Sequence, residues 1–432
     1  MLKRKIYSEL EKWHKTHNKK ALLLRGARQV GKTTSIRHFA RKHYQHFVEI
    51  NFEQTPAARR AFEGNLDART LISNLSIMGF GPFIPGKTLV FFDEIQSCPQ
   101  ARTAIKFLVE DGKMDYIESG SLLGINYREV SSYPVGFEHQ INMYPLDFEE
   151  FLWAFGIEED VIGTLRDAFI GHHPVPEFLH QQVMERFAQF MIVGGMPAVV
   201  STFKESPDFH FTLQTQRDII TSYRDDISKY AGRDKLSAKS VFDTIPQQLS
   251  KQNKRYILAQ IEKNASMRKY SSPTQWLADA GIAYLINNVS ALEQPLAAFA
   301  KPNMFKIYLH DTGLLCNMFM NGIQEAILHH ELSVNEGSIA ENYVAAELVK
   351  HGHHPYYYDR KSRQELDFVF DTPTGIGIIE VKSGKDYQRH TSLDTAINDL
   401  SSAQFHAYVL APCNVQQDNK ITYLPLYMAM FI

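Results

Sequence analysis

The segment Gly26-Ala27-Arg28-Gln29-Val30-Gly31-Lys32-Thr33 constrains this chain most, because a GxxxxGK[ST] run works only as a loop between a buried strand and a helix. Gly26 and Gly31 permit backbone angles and a close approach that side chains would block, so successive N–H groups can converge on phosphate oxygens. Lys32 sets a point charge against the β- and γ-phosphates of a bound nucleotide, the Thr33 hydroxyl can ligate Mg²⁺, and the next helix turns its positive end to the anion. The nucleotide-binding set therefore runs from Gly26 to Thr33 and includes Thr34 as the helix begins. The flanks agree: Lys20–Leu24 is a short apolar run suited to a buried strand, and Thr34–His43 reads as a helix.

A second acidic feature completes the site. Asp93-Glu94 ends the continuous apolar run Thr88–Phe92. Asp93 is expected to hold Mg²⁺ directly or through water, and Glu94 to polarise an attacking water, which favours ATP hydrolysis over mere storage. The competing structural reading is a solvated acidic turn at a strand end.

Around these motifs, Phe47–Phe52, Tyr116–Ser119 and Gln140–Tyr144 read as further strands separated by helical stretches, the pattern of a parallel sheet covered on both faces. From Pro145 the chain turns helical over Asp147–Phe155, Gln181–Met191 and Phe211–Tyr230, broken by the turn Gly194-Gly195-Met196-Pro197. Residues 237–310 read as short helices followed by strands at Ala283–Asn288 and Phe305–Leu309, the order of a winged helix. There Ser271-Ser272-Pro273-Thr274 is expected to cap a helix carrying Gln275, Trp276 and Leu277 that can enter a major groove. Lys254, Arg255, Lys263, Arg268 and Lys269 would supply salt-dependent phosphate contacts. Beyond Ser333 come a helix (Ser338–His351), strands at His354–Asp359, Glu365–Phe370 and Gly377–Lys382, a helix (Ser392–Ala403) and a strand (Phe405–Ala411).

The fold class is thus α/β: a parallel-sheet ATPase domain (1–155), a helical linker or lid (156–235), a winged-helix-like domain (236–332) and an α+β C-terminal domain (333–432). A net charge of −2 over 432 residues removes a general DNA-coating role, so any DNA contact must come from local patches. No run approaches the ~18 apolar residues of a membrane span, and no apolar stretch follows the basic start as in a signal peptide. Cys98, Cys316 and Cys413 lie at scattered positions without disulfide or metal spacing, so a reduced cytoplasm is the expected location.

Several segments carry a family resemblance: Arg28-Gln29-Val30-Gly31-Lys32-Thr33-Thr34, Phe92-Asp93-Glu94-Ile95-Gln96, Tyr144-Pro145-Leu146-Asp147-Phe148-Glu149-Glu150-Phe151-Leu152, Gly194-Gly195-Met196-Pro197 and Lys306-Ile307-Tyr308-Leu309-His310-Asp311-Thr312-Gly313-Leu314-Leu315. Together they look like prokaryotic AAA-type P-loop ATPases that carry a C-terminal domain of unknown function (family 4143). The resemblance implies a γ-phosphate sensor at Ser119 or Ser121, both of which can equally cap a helix. It makes Arg128 a candidate arginine finger, with a plain surface arginine as the alternative. Where relatives have Gly-Arg before the Tyr144-Pro145 motif, this chain has Gly136-Phe137, so that arginine's role is lost or moved. The Gly195-Met196-Pro197 turn is similar to the GxP element of the signalling (STAND) branch, where it links nucleotide state to a winged helix.

At the C-terminus, Asp367 and Glu380-Val381-Lys382 sit on adjacent strands with 12 residues between the carboxylates. Asp367 and Glu380 can converge on a hard cation such as Mg²⁺, and Lys382 lies on the same strand face as Glu380. Glu341 on the preceding helix can complete the set. The helix–strand–strand–strand–helix–strand order resembles the PD-(D/E)xK endonuclease core, with Leu366 in place of the leading proline. The resemblance implies metal-assisted phosphodiester hydrolysis; salt bridging among Glu341, Glu380 and Lys382 is the structural alternative. The expectation overall is an ATP-driven, DNA-associated motor or switch, homo-oligomeric with ATP and unattached to membranes. A signalling or scaffold ATPase with an inactive nuclease-like domain, and an ATP-licensed DNA endonuclease, are the alternatives.

Overall fold

The structure is a computed structural model that describes residues 1–17, 19–121, 134–251, 254–261, 267–319, 327, 334–360, 364–384, 386–400 and 404–432. The chain divides into two compact units, Lys3–Tyr144 with Asp279–Gly281, and Pro145–Ala278 with Ile282–Ile432.

The first unit contains strands β1 (Ala21–Arg25), β2 (His46–Asn51), β3 (Thr88–Asp93), β4 (Asp115–Gly120) and β5 (Glu138–Asn142). All pair in parallel, in the order β2-β3-β4-β1-β5. Helices α1 (Ile6–Lys15), α2 (Lys32–His43), α3 (Ala68–Ile77) and α4 (Pro99–Asp111) cover the sheet. Strand alternation divides the core between the two faces. Leu22, Leu24, Phe91 and Ile117 pack with Leu10, Ile36 and Phe39 of α1 and α2, while Leu23, Val90 and Phe92 pack with Leu71 and Ile105 of α3 and α4.

One charge cluster is sealed inside this unit. Arg102 of α4 donates from Nη1 to Glu118 Oε2 of β4 at 3.2 Å and from Nη2 to Glu138 Oε1 of β5 at 3.1 Å. Its side chain is 2% exposed and that of Glu118 0%. Burial drives the Glu118 carboxyl well above the usual carboxylate range, against the pull of Arg102. Arg102→Met is therefore expected to cost about 3–5 kcal/mol, since it takes from two carboxylates the guanidinium that pairs with both. Urea melts check this, and Arg102→Met with Glu118→Gln should recover part of the loss. A single variant as stable as wild type would contradict it.

The second unit begins with α5 (Phe148–Ala154), α6 (Glu159–Gly171), α7 (Glu177–Val193), α8 (Pro197–Glu205), α9 (Phe209–Tyr230), α10 (Lys235–Leu249) and α11 (Met267–Asp279). The hairpin β6 (Ala283–Val289) and β7 (Ala300–Leu309) follows, then α12 (Thr312–Met318) and α13 (Val334–Lys350). Strands β8 (Tyr356–Asp359), β9 (Glu365–Thr372) and β10 (Gly375–Val381), helix α14 (Thr391–Asp399), and strands β11 (Phe405–Ala411), β12 (Gln416–Asp418) and β13 (Ile421–Pro425) complete it. Its mixed sheet has the order β12-β13-β11-β10-β9-β8-β6-β7. The hairpin thus joins the C-terminal strands through β6 and β8, which pair Asn288 with Tyr357 and Val289 with Tyr358.

The expected helix cap at Ser271-Ser272-Pro273-Thr274 is corrected, because these residues lie inside α11. Thr274 Oγ1 bonds back to the Tyr270 carbonyl at 2.8 Å rather than capping anything. Pro273 removes one i→i−4 bond, but Tyr270, Trp276 and Leu277 are buried and hold the helix together through packing.

Three segments that carried the family resemblance meet in the second unit. Gly194, with φ +71°, closes α7, and Pro197 opens α8 at its first turn. Leu146 N–H donates to the Gly195 carbonyl at 2.7 Å, and Gly195 N–H donates to Asp311 Oδ2 at 2.6 Å. Asp311 Oδ1 caps α12 by accepting from Leu314 N–H at 2.9 Å. Lys350 Nζ, near the end of α13, donates to the Leu146 carbonyl at 3.1 Å.

Candidate nucleotide site and C-terminal carboxylate cluster

Strand order positions the first site. With β4 between β1 and β3, the C-terminal ends of all three strands open onto one edge, the usual place for a ligand in a parallel sheet. Register then aligns the side chains: Asn51 pairs with Asp93, Phe92 with Glu118, and Leu24 with Ser119.

The loop from Gly26 to Gly31 leads directly into α2. A Cβ on Gly26 would stand 2.1 Å from the Met143 carbonyl oxygen, so only glycine fits. Ala27 and Val30 are buried in the core behind the loop. Lys32 is buried, with Nζ 2.9 Å from the Gly26 carbonyl and 2.7 Å from that of Ala27. Thr34 is exposed in the first turn of α2.

Asp93 is the hub of the site. Its Oδ2 accepts from Thr33 Oγ1 at 3.2 Å and from Asn51 Nδ2 at 2.9 Å, and its Oδ1 accepts from Ser119 Oγ and from Glu94 N–H at 3.1 Å. Glu94 sits at φ +52°, and its Oε2 accepts from Gln96 Nε2 at 2.5 Å and from Ser121 Oγ at 3.5 Å. Arg28 Nε donates to Ser121 Oγ at 3.4 Å, and Nη2 lies 3.5 Å from Glu53 Oε2. The two serines thus differ in position: Ser119 bonds Asp93, whereas Ser121 stands between Glu94 and Arg28. Arg128 lies outside the described residues.

Three contributors escaped the sequence reading. Asn51 and Gln96 steady the two carboxylates. Arg4 is buried and donates to the Val30 carbonyl at 3.0 Å and the Tyr144 carbonyl at 2.7 Å, bracing the loop from beneath. Asn51 carried a signal as the polar residue at a strand end, and Gln96 as part of the Phe92–Gln96 segment that bears the family resemblance.

Burial pulls the Lys32 ammonium down to about 8, against the Glu94 and Asp93 carboxylates, which hold it up. The protonated form pairs with phosphate, so bound phosphate raises this value and binding becomes linked to proton uptake. ATP affinity is accordingly expected to fall as pH rises past about 8, approaching tenfold per pH unit. Titrations with fluorescent ATP across this range check it, and unchanged affinity at high pH would contradict it.

The C-terminal cluster does gather the residues read from sequence. Asp367 and Glu380 lie one step beyond the last paired residues, Phe368 and Ile379, of the β9–β10 hairpin. Asp367 Oδ2 accepts from Val381 N–H at 2.8 Å, and Lys382 Nζ donates to Glu380 Oε1 at 2.8 Å. Glu341 of α13 accepts from Lys254 Nζ at Oε1 and from Tyr308 OH at Oε2, the latter at 3.0 Å. Burial raises the Asp367 carboxyl well above its usual range, and the Glu341 and Glu380 charges push it the same way.

Tested against a divalent cation, this donor set does not fit. Among the described residues, no group of three or more His, Cys, Asp or Glu side chains is arranged to hold a metal ion. Glu341, expected to complete the set, has both oxygens engaged by protein donors. The nucleotide site fits its implied ion better, since the Thr33 hydroxyl and Asp93 carboxylate already face each other. Among the described residues, no helix is long and apolar enough to cross a membrane.

Comparison with known families places residues 18–152 in an AAA domain. Residues 184–325 match a domain of unknown function (DUF8612), and residues 336–428 match another (DUF4143). No curated protein matches the chain. Among solved structures, the Walker-type ATPase PABY2304 of Pyrococcus abyssi is 14% identical with a TM-score of 0.45, covering 74% of this chain and 96% of its own. The Aeropyrum pernix Orc1 protein in complex with DNA is 14% identical with a TM-score of 0.29, covering 76% of this chain and 93% of its own. The family match and the strand-edge geometry give the conclusion: the chain carries an AAA-type P-loop ATPase domain at its N-terminal end, followed by a helical middle and a mixed-sheet C-terminal region.

Proposed function

We propose that the chain is an ATP-hydrolysing switch that works with DNA through its winged-helix-like and nuclease-like modules, without cutting it. The observation that carries the ATPase part is the convergence of Lys32, Thr33, Asp93, Glu94 and Ser119 on one sheet edge. The loop amides and Lys32 cradle the phosphates, and Thr33 and Asp93 would hold Mg²⁺, which supplies neutralising charge on the β- and γ-phosphates. Glu94, steadied by Gln96 and Ser121, accepts a hydrogen bond from the attacking water and aligns it. Ser119 keeps Asp93 in place from the neighbouring strand. In this reading Ser121 is the better sensor candidate of the two serines.

DNA enters the proposal through the order α10, α11, β6, β7, which is that of a winged helix, and through the exposed Lys269 on α11. A second reading, a signalling or scaffold ATPase that self-associates with ATP, is favoured by Lys254. That basic residue is engaged by Glu341 rather than offered to phosphates.

Phosphate release by wild type and Lys32→Ala, with and without duplex DNA at low salt, separates the two. DNA-stimulated turnover that Lys32→Ala abolishes supports the first. Turnover indifferent to DNA, with no DNA binding at low salt in either nucleotide state, removes DNA from the proposal. Sizing in ATP against ADP then tests the second.

A further inference from the structure

Four carboxylates and three ammonium groups face one another where β7, α13 and the β9–β10 hairpin meet. Lys306 of β7 is 1% exposed, with Nζ 2.9 Å from Glu365 Oε1, 3.9 Å from Glu341 Oε2, and 5.0 Å from the centre of the Tyr357 ring. Lys254, outside the hairpin and helix that carry the carboxylates, donates to Glu341 Oε1. Lys382 holds Glu380 Oε1, while Glu380 Oε2 is buried with no hydrogen-bond partner. Buried like charges at this spacing need positive charge among them, whether from a metal or from the chain. A lysine ammonium is a compact point charge that can stand where a small cation would.

We infer that Lys254, Lys306 and Lys382 together supply, from within the chain, the positive charge that a divalent cation would bring to Glu341, Asp367 and Glu380, so this nuclease-like module is metal-free. Lys306 is enclosed and permanent. Lys254, 14% exposed at its side chain, is the replaceable member. The inference is independent of DNA binding and of ATP turnover, and its test uses neither.

Mn²⁺ binding to the full chain without nucleotide, followed by electron paramagnetic resonance and by melting temperature, decides it. Wild type is expected to hold no Mn²⁺ at this cluster and to melt unchanged. Lys254→Ala leaves Glu341 Oε1 uncovered beside Asp367 and Glu380. It is expected to gain one Mn²⁺ and melt roughly 2–4 °C higher when Mn²⁺ saturates it, with both effects lost when Glu380→Gln is added. Wild type that binds Mn²⁺ and loses it on Glu380→Gln would overturn the inference. So would a folded Lys254→Ala that binds none, because Lys254 would then be an ordinary ion pair. Should Lys254→Ala fail to fold, Lys254→Gln is read in its place, and the wild-type comparison with Glu380→Gln stands by itself.

Discussion

Lys32→Ala is expected to weaken ATP binding by at least about 10²-fold and to remove turnover altogether. Hydrogen bonds to charged groups are each worth about 1.5–3 kcal/mol, and Lys32 offers its ammonium from a buried position where water screens it little. The carbonyls of Gly26 and Ala27 already hold Nζ at the centre of the loop, so no search for the phosphates is needed. Alanine removes the charge but leaves the loop's shape, which rests on Gly26 against Met143 and on Arg4 against Val30. Circular dichroism should therefore be unchanged while nucleotide titration shows the loss. Binding that survives intact would mean the loop does not hold the phosphates.

The second large effect belongs to the junction of Leu146, Gly195, Asp311 and Lys350. A Cβ on Gly195 would lie 2.0 Å from the Leu146 carbonyl oxygen, a backbone atom that cannot rotate away. Gly195→Ala is expected to cost about 3 kcal/mol, the upper end of overpacking. Asp311→Ala acts on the same junction by a different route, leaving the Gly195 and Leu314 N–H groups buried without their acceptor, at about 1–3 kcal/mol each. Thermal melts of both variants should show the unit from Pro145 onward unfolding several degrees earlier. The double variant should lose less than the sum, because the two changes share partners. Wild-type melting in both would show that the junction bears no strain or load.

Much of this was legible because the chemistry is written into local sequence. The glycine loop, its strand and helix, and Asp93-Glu94 at a strand end all follow from residue type and spacing, and the structure brings them together. The parallel sheet followed from apolar runs such as Thr88–Phe92, which is buried throughout. What stayed hidden depends on long-range register. Asn51 meets Asp93 only because β2 lies beside β3, and Arg4 reaches Val30 only through the placement of α1. Ser271 and Thr274 misled because cap residues and a proline normally mark a helix start, whereas packing by Tyr270 and Leu277 carries α11 through them. Strand β12, reading Gln416-Gln417-Asp418, has no apolar alternation to reveal it.

The cluster at Asp367 and Glu380 marks the boundary most clearly. Its residue types and hairpin placement were readable, but Lys306 arrives from β7 and Lys254 from ahead of α11, and no spacing rule links them to Glu341. A motif can specify which carboxylates meet without specifying what neutralises them.

The most direct test of ATP hydrolysis at the Asp93–Glu94 site is the nucleotide held by Glu94→Gln. This substitution keeps the hydrogen bond from Gln96 within reach but removes the charge that the proposed mechanism uses to polarise water. Purified Glu94→Gln incubated with ATP and Mg²⁺ is expected to bind as wild type does, release phosphate about 10²–10³-fold more slowly, and retain ATP where wild type retains ADP. Phosphate release at the wild-type rate, with ADP recovered from both proteins, would contradict the assignment of Glu94 and of the site built around it.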